Sequence, residues 1–168
     1  MDLQRRIRGH FEDSARLKQE AAGPLAGPIA RAVELITSAL AADRKLLVCG
    51  NGGSAGDSQH LAAELIGRFE RERPELAAIA LTTDSSILTA IANDYAFEQV
   101  FAKQVRGLGR EGDVLVAIST SGNSPSVLAA AQAARERGLA IVALTGRGGG
   151  QLGEMLGEGD VHLCVPHE

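Results

Sequence analysis

The sequence predicts an α/β protein with a doubly wound, five-stranded parallel sheet flanked by helices. Three observations carry that prediction. Five short apolar runs recur along the chain without polar alternation, as expected for strands buried on both faces. Segments of helical period separate them, which is the order of βαβ units. Aromatic residues are only 3% of the chain and Trp is absent, so the core rests on Ala, Leu, Ile and Val, whose small side chains let helices approach a sheet closely.

The elements follow in order. Leu3, Ile7, Phe11, Ala15 and Leu17 recur near helical spacing, and Pro24 and Pro28 then interrupt the pattern. A second helix is expected on Ile29, Ala32, Val33, Ile36 and Leu40. Residues 1–43 thus read as N-terminal helices added to an α/β core of residues 44–168, all one domain. The apolar stripe on them suits an oligomer surface. Residues 45–49 (KLLVC) form the first strand, followed by a Gly-rich turn and a helix over 54–69. Residues 77–81 (AAIAL) are the second strand, and helical stretches follow over 85–95 and 98–107. The third strand, 113–118 (DVLVAI), runs into a polar loop, and an Ala-rich helix over 126–137 stops at Gly138. The fourth strand is 139–144 (LAIVAL), then a Gly-rich loop at 146–150, a short helix at 152–156 and a fifth strand at 161–165 (VHLCV).

At 168 residues one core needs no staples. A net charge of −4 argues against direct nucleic-acid binding, which draws on a basic surplus. Cys49 and Cys164 fall in different strands and read as buried free thiols. The charged N-terminus lacks the apolar stretch of a secretion signal, and no segment is apolar enough to span a membrane. A cytoplasmic protein is expected.

Parallel sheets bind ligands at the carboxyl ends of their strands, which singles out two loops. In Gly50-Asn51-Gly52-Gly53-Ser54, three glycines permit close backbone approach, and Ser54 reads as the N-cap of the next helix. The pattern is neither a dinucleotide fingerprint nor a P-loop, so ligand contact competes with a plain tight turn. In Ser119-Thr120-Ser121-Gly122-Asn123-Ser124, three serines and a threonine follow a buried strand, with Pro125 suited to a first helical turn. Four hydroxyls exceed the needs of one cap, and with helix-terminal N–H groups they can cradle a phosphate monoester. His60 and Glu64 are four residues apart and share a helix face. Such a pair can bind a metal, serve as acid and base, or simply be solvated. Asp57 and Gln59 lie nearby, and Asp57 suits the helix dipole. Asn93-Asp94 either caps a helix or contacts sugar hydroxyls.

The segment CGNGGSAGDSQHLAAELIGRFERERP resembles the signature region of the phosphoheptose isomerase family, a group of sugar isomerase (SIS) domains with a flavodoxin-like fold. From TTDSSILTAIANDYAFEQVF through ISTSGNSPSVLAAAQAARERGLAIVALTGRGGGQL the chain resembles the rest of that family's core. The resemblance implies that Asn51, Gly52 and Gly53 contact substrate, that Ser119, Thr120, Ser121 and Ser124 bind its phosphate, and that Asn93 and Asp94 line the sugar site. It makes His60 and Glu64 zinc ligands and Glu64 the catalytic base and a substrate contact, expected to be partly desolvated. The implied reaction converts sedoheptulose 7-phosphate to D-glycero-D-manno-heptose 7-phosphate, for the heptose of bacterial lipopolysaccharide, in a homotetramer with sites at subunit interfaces. Family members continue with a helix that supplies a Gln and a His as further zinc ligands. Here Pro166-His167-Glu168 follow the last strand and His167 does not match that helical His, so weak zinc binding and impaired catalysis are expected of the chain as it stands. His162, within a strand, reads as structural. Two rival functions are an adaptor that binds the bacterial replication initiator DnaA and a sugar-phosphate sensor without turnover. Glu64 favours the enzyme, because neither rival needs a base.

Overall fold

The computed structural model describes residues 2–167. Helix α1 (Leu3–Ala41) leads into β1 (Leu46–Gly50), α2 (Gly53–Ile66) and β2 (Ala78–Ala80). Helices α3 (Ser85–Asp94) and α4 (Val100–Leu108), joined through a 3₁₀ turn at Phe97–Gln99, precede β3 (Val114–Ser119). Helix α5 (Pro125–Glu136), β4 (Ala140–Thr145), a 3₁₀ turn at Arg147–Gly149, α6 (Gly150–Met155) and β5 (Val161–Cys164) complete the chain. All five strands pair in parallel in the order β2-β1-β3-β4-β5.

The pleat divides the core in two. Leu47, Cys49, Leu115, Ala117, Ile141 and Ala143 face the layer built from α4, α5 and α6, where Val105, Ala130 and Leu152 pack on them. Leu46, Val48, Val114, Val116 and Val142 face the other layer, covered by Ala62 of α2 and by Ala32 and Ala39 of α1. The helices meet the sheet largely through alanines, in line with the scarcity of aromatics.

The largest departure from expectation is α1. One helix of 39 residues runs through Pro24 and Pro28 where two helices were expected. A proline ring clashes with the Cβ of the residue before it in the α conformation. Both prolines follow a glycine, Gly23 and Gly27, which has no Cβ to clash. Glu20, whose carbonyl loses its amide partner at Pro24, is exposed, so water can take that place. Only the C-terminal half of α1 lies on the sheet, while Leu3, Ile7 and Phe11 are exposed. The other elements agree with the sequence reading to within a few residues.

Beneath the sheet, Lys45 and Asp113 form an ion pair at the amino ends of β1 and β3. Asp113 Oδ1 accepts from the Lys45 amide at 3.0 Å, and Oδ2 accepts from Lys45 Nζ at 2.6 Å and the Arg110 amide at 2.8 Å. Burial alone would push the Asp113 carboxyl up, but these donors outweigh it and hold it below its ordinary value. Cys49 is a free, fully buried thiol whose burial pushes it up to about 12, so it is chemically quiet. Cys164 is also free but only half-buried.

Candidate functional site

The order β2-β1-β3-β4-β5 reverses direction between β1 and β3, which is the switch point where doubly wound sheets open a crevice at their carboxyl edge. The two loops singled out from sequence leave these two strands side by side. Asn51 and Ser54 from the first, Ser119, Thr120, Ser121 and Ser124 from the second, with Ile118 and Arg147, line one cavity of about 230 Å³.

Local chemistry sets each group. Gly50 packs so tightly that a Cβ there would lie 2.7 Å from Ser54 Cβ and 3.0 Å from the Ile118 carbonyl. The N-cap of α2 is Gly52, in the left-handed region at φ 57°, and not Ser54 as expected. Ser54 instead lies in the first turn, its amide donating to the Asn51 carbonyl at 3.0 Å, which leaves its hydroxyl to the cavity. Asn51 Nδ2 donates to Ser126 Oγ at 2.9 Å, tying the first loop to α5. Ser124 is the N-cap of α5, with Pro125 at the first position, yet its hydroxyl caps no backbone amide. It accepts from Ser119 Oγ at 3.1 Å. Hydroxyls and first-turn N–H groups therefore converge where an anion would sit.

The second loop is braced from the far side of β4. The Gly146 amide donates to the Thr120 carbonyl at 2.9 Å and the Leu152 amide to the Gly122 carbonyl at 2.9 Å. The Gln151 amide donates to Asn123 Oδ1 at 3.0 Å. Gly122 adopts φ 65°, and a Cβ there would fall 1.7 Å from the Gly149 carbonyl oxygen. Arg147 reaches the cavity from this brace, with its own φ at 47°. It is the one cation among the cavity's lining side chains, and the sequence reading passed over it. The signal was an Arg inside a Gly-rich loop at the carboxyl end of a strand, a segment read only as a connection. His162 supports the brace from below: its Nε2 lies 2.8 Å from Thr145 Oγ1, its ring packs under Gly149 and Gly153, and burial lowers its basicity. This is a structural place, as expected.

His60 and Glu64 do share a face of α2, with His60 Nε2 and Glu64 Oε1 3.0 Å apart. The Glu64 side chain is 35% exposed and that of His60 76%. They line a second concavity of about 570 Å³ with Asp57, Leu61, Leu65, Phe69, Arg73 and Leu76. The serine cradle is elsewhere. A βαβ crossover helix carries the chain from the carboxyl edge of a sheet back to its amino edge. Ten residues of α2 separate Ser54 from Glu64, a rise of about 15 Å. Within one chain the carboxylate and the cradle line different cavities. Asn93 and Asp94 are exposed at the end of α3, where Asn93 Nδ2 donates to Asp94 Oδ1 at 2.8 Å, and they line neither cavity.

As metal donors His60 and Glu64 are two, short of the three or four protein ligands of a zinc ion. No cluster of three or more His, Cys, Asp or Glu side chains converges among the described residues. The pair does not by itself fit a complete zinc centre. Among the described residues no helix is long and apolar enough to cross a membrane.

The SIS domain family model matches residues 10–146. A phosphoheptose isomerase of Dechloromonas aromatica is 64% identical over 166 residues, covering 99% of this chain and 85% of that protein. The solved phosphoheptose isomerase of Neisseria gonorrhoeae superimposes with a TM-score of 0.94 at 57% identity, covering 99% of this chain and 87% of that one. That of Francisella tularensis superimposes at 0.97 with 43% identity, covering 100% and 88%. A five-stranded parallel sheet with the same topology, shared at this level of identity over nearly every residue, places the chain in the phosphoheptose isomerase family of SIS-domain proteins.

Proposed function

We propose that the chain is an aldose–ketose isomerase that converts sedoheptulose 7-phosphate to D-glycero-D-manno-heptose 7-phosphate. The observation that carries the reading is the hydroxyl cradle at the β1/β3 switch point, in a chain 64% identical to a phosphoheptose isomerase. The cradle takes the terminal phosphate through Ser119, Thr120, Ser121 and Ser124, and Asn51, Gly52 and Gly53 contact the sugar. Asn93 and Asp94, which line neither cavity of the single chain, are assigned to the sugar site by the family resemblance and would reach it across a subunit interface. Binding energy at the phosphate, remote from the reacting carbons, is available to orient them. Glu64 takes the proton from C1 of the ketose to give the enediol and returns it at C2, while a proton passes from O1 to O2. Its carboxylate is part-exposed in the second concavity, where a substrate can reach it. His60 orients it through their 3.0 Å contact.

The separation of Glu64 from the cradle supports an assembly in which one subunit's cradle meets another's Glu64, in line with the homotetramer that the resemblance implies. The exposed stripe of Leu3, Ile7 and Phe11 is apolar surface available for such an assembly. His60 and Glu64 are proposed as two zinc ligands whose remaining donors come from outside the pair, and the proton transfers above are assigned without the metal. The isomerase names of the relatives favour this reading over an adaptor for DnaA or a sensor.

The test is turnover of sedoheptulose 7-phosphate by this chain, by a version extended to the length of its relatives, and by Glu64→Gln in the active form. Glu64→Gln should lower kcat about 10²–10⁴-fold, the usual worth of a general base. A folded protein that binds no sugar phosphate in either length overturns the proposal.

A further inference from the structure

Arg73 stands outside every residue assigned so far. It lies in the connection from α2 to β2, and its side chain turns back onto the end of the helix that carries Glu64. The last four carbonyls of an α-helix have no partner within the helix. In α2 these belong to Ala63, Glu64, Leu65 and Ile66. The Gly67 amide takes the Ala63 carbonyl at 2.8 Å. Arg73 takes the next two: Nη2 donates to the Glu64 carbonyl at 2.6 Å and Nη1 to the Leu65 carbonyl at 2.8 Å. Nη1 also donates to the Pro74 carbonyl at 2.9 Å, and the Leu76 amide adds a bond to the Leu65 carbonyl at 3.0 Å.

The arrangement is suited to its place. Pro74 biases the backbone of Arg73 toward extended conformations, so the connection doubles back under the helix end. The guanidinium charge sits where the helix dipole is negative. Its planar fork spans two successive carbonyls, which the point-like ammonium of Lys cannot do. Arg73 is half-buried and lines the same concavity as His60 and Glu64.

We infer that Arg73 is a positioning residue for Glu64. By holding the Glu64 carbonyl itself, it fixes the height and rotation at which α2 presents the carboxylate. The inference rests on Glu64 being the base. It assigns Arg73 no contact with substrate, since its fork is engaged by backbone oxygens.

Steady-state kinetics with sedoheptulose 7-phosphate test this on Arg73→Ala, Arg73→Lys, Glu64→Gln and the double variant Arg73→Ala/Glu64→Gln, all in the form that shows turnover. Thermal melting is followed in parallel, to measure rates on folded protein only. Arg73→Ala should lower kcat about 10–100-fold, as a displacement near 1 Å does, and leave KM within about two-fold because the phosphate grip is elsewhere. Arg73→Lys, which keeps the charge and is the safer folder, should show most of the same loss. In the Glu64→Gln background, Arg73→Ala should change the residual rate less than about two-fold, since a group that acts through another has nothing left to position. Equal losses in both backgrounds, a loss confined to KM, or full recovery by Lys would overturn the inference while leaving Glu64 as the base. Native turnover by Glu64→Gln would instead sink the base reading, and the inference with it.

Discussion

Single residues carry more of the site's shape than its hydroxyl composition suggests. Gly122 is one: its φ of 65° and the 1.7 Å approach of a built Cβ to the Gly149 oxygen leave no room for a side chain. Gly122→Ala should push the serine loop away from its brace and raise KM for the sugar phosphate about ten-fold, given a strain of about 1–3 kcal/mol. Equilibrium binding of the sugar phosphate checks it. Asp113 is another, remote from the site. Its carboxyl is held below its ordinary value of 3.8, so the unfolded chain binds that proton more tightly than the folded one. The stability it contributes is present above 3.8 and is lost as pH falls through the lower, folded-state value. Asp113→Asn leaves the Lys45 ammonium without its partner and should cost about 3 kcal/mol near neutral pH. Its melting temperature should then fall less steeply than the native protein's in acid, as a melting series against pH would show.

At the scale of elements, helices position the site through their ends. α5 begins at the cradle with its N-cap hydroxyl left over, and α2 ends on the Arg73 fork with Glu64 just inside. α1 shows how a local rule can be overridden by its own neighbours. Two prolines should have stopped it, and two preceding glycines let it continue. Pro24→Ala should restore the missing amide and raise helix stability by roughly 1–3 kcal/mol. Hydrogen exchange of the amides in residues 3–20 should slow accordingly. Unchanged exchange would mean that α1 is held by contacts along its exposed stripe and not by its own backbone.

The molecule as a whole divides its chemistry between two cavities. The hydroxyl cradle lines one cavity and the Glu64 carboxylate another, and the proposed assembly brings them together from two copies of the chain. Mixed assemblies therefore offer a direct check. Glu64→Gln subunits co-assembled with Ser121→Ala/Ser124→Ala subunits should regain activity that neither variant has alone, because some interfaces then pair an intact cradle with an intact Glu64. Mixtures no more active than their components would place the complete site within one subunit.

The five strands, the two polar loops that line the cavity and the His60–Glu64 pair were all legible in the sequence, because each is written locally. Buried parallel strands leave unbroken apolar runs, a cradle leaves clustered hydroxyls, and helical period alone puts residues 60 and 64 on one face. Family membership was legible for the same reason, since the signature segments are contiguous. The strand order was not, and with it the meeting of Asn51 with Ser126, which lie 75 residues apart and touch only because β1 and β3 are neighbours. The places of Arg147 and Arg73 were also decided by the fold. One is an Arg in a glycine loop that folding brings to the serine cavity, and the other an Arg before a proline whose fork meets backbone carbonyls that folding brings to it. Sequence determines what a segment can form by its own periodicity and side-chain chemistry. Which segments end up side by side depends on how the sheet buries its two faces, and that is settled only when the whole chain packs.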